Sequence, residues 1–158
     1  MDSKARSRIE ALLDAQSFVE IGALVKSRST DFLQGAEKAA SDGVICGYGS
    51  ISGKPVYIYA QNRDVLSGSV GEMHGRKIAH LYDMAMKMGA PVVELLDSSG
   101  IRLEEATDAL YALSKLYKKK AQAKGLIPLY SVLYGQAGGG MALLASLSDF
   151  CFMENQEG

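Results

Sequence analysis

The chain has 158 residues and a mass of 16.9 kDa, the size of one globular domain or part of one, which leaves little room for two independent cores. Hydrophobic residues make up 47% and charged residues 22%, with 3 Pro and no Trp, so disorder and a collagen-like repeat are both excluded. With 17 Lys and Arg against 18 Asp and Glu the net charge is −1, which exerts no general pull on nucleic acid or an anionic membrane; an anion must be held by local groups.

In chain order, Ser3 can cap a first helix that carries Ile9, Leu12 and Leu13 at helical spacing, and Phe18 to Leu24 reads as extended. Lys4, Arg6, Arg8 and Glu10 are not followed by the apolar run of a secretory signal. No apolar stretch reaches the ~20 residues that span a bilayer, so no membrane span is expected. Cys46 and Cys151 read as reduced core thiols, and with no export signal this points to the cytoplasm. Residues 26–42 have no clean period and read as a loop or weakly helical linker, so a helical arm and linker over 1–42 precedes a core over 43–158. Two β-rich runs, Gly43 to Ile51 and Pro55 to Ala60, flank Ser52-Gly53, a hairpin signal. A helix is predicted over Gly71 to Met88, with Ile78, Leu81, Tyr82, Ala85 and Met88 on its apolar face and Gly89 as its stop.

The next segments repeat one plan. A strand, Val92 to Leu96, runs into the polar turn Asp97-Ser98-Ser99-Gly100 and a helix from Glu104 to Lys124. A second strand, Ile127 to Tyr134, runs into Gly135-Gln136-Ala137-Gly138-Gly139-Gly140, a short helix from Met141 to Leu147 and a last strand from Asp149 to Met153. Strands alternating with helices imply an α/β fold with parallel neighbours, whose ligand sites lie beyond the carboxyl ends of the strands. No helix follows the last strand to cover its other side, so the fold reads as cut short. A glycine-rich turn entering a helix presents unpaired N–H groups to an oxyanion or phosphate. Gly138, Gly139 and Gly140 can equally serve close helix–sheet packing, and spacing alone leaves both readings open. The polar turn adds a second set of donors, and two sets from neighbouring strand ends can converge on one carbonyl oxygen.

The run from Gly135 to Met141 followed by Leu143 to Phe150 resembles the strand–GGG–helix signature of crotonase-type acyl-CoA enzymes. Asp97-Ser98-Ser99-Gly100-Ile101-Arg102-Leu103-Glu104-Glu105 is similar to the DSGGARIQE motif of the biotin-dependent acyl-CoA carboxyltransferases, a crotonase subgroup typified by acetyl- and propionyl-CoA carboxylase beta chains. The arm from Ala5 to Gly22, the hairpin from Asp42 to Gln61, and Gly68-Ser69-Val70-Gly71-Glu72-Met73-His74 with Arg76-Lys77-Ile78 extend the likeness over nearly the whole chain. It implies the N-terminal portion of a crotonase-like spiral of ββα units, binding an acyl-CoA substrate. It also implies catalytic amides around Ser99, Gly100, Ile101, Gly139 and Gly140, with Gly68, Ser69, Gly135 and Gly138 contributing to the acyl-CoA site. Biotin would arrive on a biotin carboxyl carrier protein, its site built by a C-terminal half or partner subunit in a homo-oligomer, with no metal in this chain. In the family's mechanism carboxybiotin releases CO₂, the biotin anion takes the α-proton and the enolate captures the CO₂; reversal is a decarboxylation.

The sequence departs from the family at several points. Ser99 stands where the motif has glycine, which matters if that position needs a positive φ, and Ile101 replaces a small alanine that would face the acyl group. Gln136 and Ala137 stand where Pro and Cys are frequent, and Glu104 stands for Gln. The crotonase glutamate after GGG falls at Ala142, which disfavours hydratase chemistry. The alternatives are a non-catalytic acyl-CoA-binding or assembly module and a CoA-thioester hydrolase or isomerase. His74 and His80, six apart, do not share a helical face and read as no metal site. Lys118, Lys119 and Lys120 read as a solvated helix face, and Arg63, Arg76 and Lys77 as surface charge or CoA-phosphate contacts. Met73, Met84, Met86 and Met88 and Tyr57, Tyr59, Tyr82 and Tyr111 read as core packing.

Overall fold

Ser52 and Gly53 both take a left-handed backbone, with φ of 51° and 74°, as a type I′ turn requires. On either side, β2 (Val44–Ile51) and β3 (Lys54–Gln61) pair antiparallel. In the computed structural model, which describes residues 3–28 and 41–154, this hairpin begins a six-stranded sheet of order β1-β2-β3-β4-β5-β6. Most of the linker expected over 26–42 lies outside the described residues. The strand β1 (Val19–Ile21) pairs antiparallel with β2, a shorter extended piece than Phe18 to Leu24. Beyond β3, the strands β4 (Val92–Ser98), β5 (Leu129–Ala137) and β6 (Phe150–Met153) each join their predecessor in parallel.

Helices pack on both faces of the sheet over its central strands. The helix α1 (Lys4–Leu12), its Arg6 N–H bonded to Ser3 Oγ at 3.3 Å, lays Ala5 and Ile9 against Val56, Ile58, Ala60 and Leu95. The helices α2 (Glu72–Met88), α3 (Ala106–Ala123) and α4 (Gly140–Ser146) cover the other face, with Ile78, Leu81, Leu116 and Leu144 against Tyr59, Val92, Leu96 and Leu129. Side-chain alternation along β3 supplies both cores at once, Val56 and Ile58 to one and Tyr57 and Tyr59 to the other. Gly89, at φ 64°, ends α2 as expected.

The two strand-to-helix turns are tighter than their composition suggests. The strand β4 runs through Ser98 and β5 through Ala137, because Ser98 pairs with Ala137 across a register shift, so Gly135, Gln136 and Ala137 belong to the strand. The helix α3 begins at Ala106 rather than Glu104, after a 3-10 turn over Leu103–Glu105 and a break at Ala106 with φ 45°. Cys46 is buried, but Cys151 on β6 is exposed, which corrects its reading as a core thiol. Tyr111 and Met88 are likewise exposed, on the outer sides of their helices. Among the described residues no helix is long and apolar enough to cross a membrane.

Lys120 corrects the reading of the lysine run as solvated. It lies on the inner face of α3 with Leu113 and Leu116 and is wholly buried, its ammonium 2.5 Å from Glu94 Oε2 on β4. Glu94 also accepts the hydroxyls of Tyr82 and Ser131, so the carboxylate is saturated with donors inside the core. Burial lowers the Lys120 pKa and the Glu94 charge opposes that shift. Removing one partner strands the other. Lys120→Ala should cost about 3–5 kcal/mol in urea unfolding, and adding Glu94→Leu should recover part of that loss.

The β6 strand presents Phe150, Phe152 and Met153 to solvent, with Phe150 stacked on Tyr130 at 5.3 Å between ring centroids. An exposed apolar edge favours association. The 158-residue chain should elute from sizing columns as more than a monomer, and Phe150→Asp with Phe152→Asp should shift it to the monomer position.

Candidate functional site

The carboxyl ends of β4 and β5 meet in backbone contact. At β4 the chain leaves Ser98, exposes Ser99 and turns at Gly100, whose φ of 111° is open to glycine and strained for other residues. Ser99 itself is not in the left-handed region, so its side chain replaces the expected glycine without backbone strain. At β5, Gly138 donates to Ser98 O at 3.0 Å, and a methyl group on Gly138 would lie 2.3 Å from Ser99 O. A methyl on Gly100 would in turn lie 3.1 Å from Gly138 O. The two turns therefore abut, and glycine at both positions lets them approach so closely.

An account of the main-chain donors separates the expected amides into two groups. Ser99 N–H is bound to Ser67 O at 3.1 Å and Gly100 N–H to Ser98 Oγ at 3.1 Å, so both are used within the fold. Met141 and Ala142 donate back to Gly138 O and Gly139 O. Among the described residues, the N–H groups of Ile101, Gly139 and Gly140 have no acceptor in the fold. Ile101 sits in a one-residue parallel bridge with Val70, framed by Val70 N–H to Gly100 O at 2.8 Å and Arg102 N–H to Val70 O at 3.0 Å. Gly139, at φ 50°, opens α4, and Tyr117 Oη holds Gly140 O at 2.6 Å.

The remaining expected residues fall on two sides of these turns. A cleft of about 450 Å³ is bounded by Leu66, Ser67, Ser69, Ser99, Ile101 and Leu103. The loop entering it holds Leu66, Ser67 and Gly68 in consecutive left-handed conformations, with Gly68 backed onto Asp97 O. The Ile101 side chain is half-buried against the main core. Gly135 lies elsewhere, against the Asp97 carboxylate in a second cleft of about 320 Å³ beneath α1, with Arg8, Arg63 and Tyr134. There Asp97 takes Arg8 at 3.0 Å and Arg63 at 3.4 Å, and the Arg8 guanidinium lies 4.3 Å from the centre of the Tyr134 ring.

Below the first cleft runs a buried polar cluster that residue spacing does not reveal. Lys77 bonds Asp42 Oδ1 at 3.1 Å and Val44 O at 2.7 Å, which corrects its reading as surface charge or a CoA-phosphate contact. His74 Nδ1 lies 3.1 Å from Asp42 O, and its Nε2 lies 3.4 Å from Gln61. Asp42 precedes a strand and His74 and Lys77 share one helix face, but nothing in the sequence says that these segments touch. Arg76 instead pairs with Glu72 at the surface. His74 is buried while His80 is exposed, and among the described residues no group of potential metal ligands comes together.

Burial first, then the Arg102 charge, pushes the His74 pKa from 6.5 down to about 3. The unfolded chain binds a proton below pH 6.5 that the folded ring refuses, so this contribution is complete above 6.5 and fades as the pH falls toward about 3. Asp42, its carboxyl raised above 3.8 by burial, acts in the opposite sense above that value. Urea unfolding followed from roughly pH 7.5 to pH 5 should show stability falling by up to about 1.4 kcal/mol per pH unit from this ring. His74→Gln should flatten that slope.

The fold and its paired strand ends define a class that the sequence comparison makes definite. The profile of the carboxyl transferase domain matches residues 3–158, and the chain belongs to that family. It is 41% identical over 149 residues to the propionyl-CoA carboxylase beta chain of Roseobacter denitrificans and 44% identical over 149 residues to the methylmalonyl-CoA decarboxylase subunit alpha of Veillonella parvula. Each alignment takes in 94% of this chain and 29% of the relative, so the chain spans under a third of their length. The transcarboxylase 12S structure, a hexamer with methylmalonyl-CoA bound, superposes with a TM-score of 0.88 at 36% identity, over 94% of this chain and 29% of that one. A Pseudomonas malonate decarboxylase hetero-tetramer superposes with a TM-score of 0.82 at 30% identity, over 94% and 57% of the two chains.

Proposed function

We propose that this chain is the acyl-CoA-binding segment of a biotin-dependent carboxyltransferase. In this reading the N–H groups of Ile101, Gly139 and Gly140 receive the thioester oxygen of the acyl-CoA. The observation that carries it is that they have no acceptor among the described residues, at two strand ends in van der Waals contact. When the α-carbon loses its proton the thioester oxygen takes up negative charge, and donors already in place stabilise that enolate by several kcal/mol. Carboxybiotin, brought by a separate carrier protein, supplies the CO₂ and the base for the α-proton. The role of this chain is to bind and orient the thioester and to spread the charge. Gly135, with Arg8 and Arg63 about Asp97, lines the second cleft and has no part in holding the thioester in this reading.

The nature of the donors supports this reading over the alternatives. Main-chain amides neither abstract nor deliver a proton, which suits a reaction whose base comes with the partner. Ala142 in the first turn of α4 offers no group to activate water, as a hydratase or hydrolase would need. The biotin side would come from the rest of the protein or from another subunit, in a homo-oligomeric assembly. The arm expected over 1–42 would be part of the carboxyltransferase unit that includes 43–158, since α1 builds its second core and β1 its first strand. Ile101, wider than alanine beside the acyl group, narrows the acyl pocket.

The test is carboxybiotin-dependent carboxyl transfer to a series of acyl-CoAs by the full-length protein, compared with the isolated 158-residue chain. Transfer is expected from the former and none from the latter. Gly139→Pro deletes one free N–H and cannot adopt φ 50°. It should lower kcat by about 10²–10³, with acyl-CoA binding retained in calorimetry. Binding with no transfer by the full-length protein would make the chain an acyl-CoA-binding module instead.

A further inference from the structure

The Ile101 N–H, without an acceptor among the described residues, lies at the middle of a turn, and turns are held by what lies beneath them. Beneath this one is Arg102, only 1% exposed. Its guanidinium donates from Nε to Ser69 Oγ at 3.2 Å, from Nη2 to Ser69 O at 2.7 Å and to Asp42 O at 3.1 Å, and from Nη1 to Glu105 Oε1 at 2.8 Å. The other oxygen of Glu105 accepts Glu72 N–H, in the first turn of α2, at 2.6 Å. One buried ion pair thus joins the 99–105 turn, the 66–70 loop, Asp42 two residues before β2 and the start of α2.

We propose that the Arg102–Glu105 pair is the positioning device of the site, fixing the Ile101 N–H in its working place by locking the 99–105 turn to the 66–70 loop. Two observations carry this beyond a structural salt bridge. Two of the four guanidinium bonds go to main-chain oxygens, those of Ser69 beside the cleft and of Asp42 behind it, and the Val70–Ile101 bridge lies between the two residues it ties, Ser69 and Arg102. The fold also leaves room for the pair at Gly71, where a methyl group would lie 2.3 Å from Glu105 Oε1 and 2.6 Å from Arg102 Nη1. Burying both charges gains little stability over a well-packed apolar pair, whereas a planar fork reaching several acceptors at once fixes geometry. Lysine, with one point charge, cannot span Ser69, Asp42 and Glu105 together.

This inference rests on the proposed acyl-CoA site, and two readouts in the full-length protein keep them separable. Arg102→Lys should lower kcat by about 100-fold, the effect of a donor displaced by about an ångström, with KM for the acyl-CoA little changed. Hydrogen exchange should speed up at the Val70 and Arg102 amides while those of the β2–β3 hairpin keep their protection. Glu105→Gln, which keeps the bonds of Arg102 to Ser69, should act in the same direction, and the two changes together should fall short of additive. Glu105→Gln alone decides the matter if Arg102→Lys does not fold. Full kcat in a folded variant of lowered melting temperature would overturn the proposal, as would a rise in KM at unchanged kcat. Absence of carboxyl transfer in the unmodified protein would instead remove the functional reading, and unchanged exchange at Val70 and Arg102 would remove the brace itself.

Discussion

Two main chains touch where β4 and β5 end, and the site is organised around that contact. The approach is closest at Gly138, where even a methyl group would drive into Ser99 O. Parallel pairing holds the strands at a fixed separation up to Leu96 and Leu133, and a register shift then sets Ser98 opposite Ala137. This brings the turns together with their remaining donors on Ile101, Gly139 and Gly140 rather than on Ser99 or Gly100. Side chains of ordinary size at Gly100 or Gly138 would separate the strand ends and the donors with them.

Much of this was legible in the residues. The hairpin followed from Ser52-Gly53, α2 from its apolar periodicity and Gly89, and the parallel sheet from strands alternating with helices. Both turns were placed within three residues, because the glycines that mark them are needed by the contact itself. Less legible was the end of each strand: Asp97, Ser98 and Gly135 have turn-like composition, yet pairing with the neighbouring strand extends them into the sheet. Helix α3 was expected two residues early because Glu104 and Glu105 favour a helix start, but the chain first makes a 3-10 turn and a left-handed break at Ala106.

Buried charge was the larger surprise. Lys120 follows two other lysines in sequence, and only its phase on α3 distinguishes it: it falls on the inner stripe, four residues after Leu116. The acceptor that makes this tolerable, Glu94, sits between Val92-Val93 and Leu95-Leu96, and a sequence does not show which helix will cover it. Asp42, His74, Lys77 and Arg102 are similar, polar residues from distant segments that bond one another inside the protein, while Asp42 Oδ2 has no partner among the described residues. Such clusters cost desolvation and return little net stability, so their value lies in specifying one arrangement of the segments they join.

The order of strands across the sheet is the order of strands along the chain. No strand has to be threaded between two that are already paired. As the polypeptide leaves the ribosome, the local hairpin can close first, and each later strand then docks on a rim already present, with its crossover helix laid over it. The slow, long-range pairing that burdens parallel sheets is divided here into successive short closures. During synthesis the sheet then grows at one rim only, that of the strand most recently added.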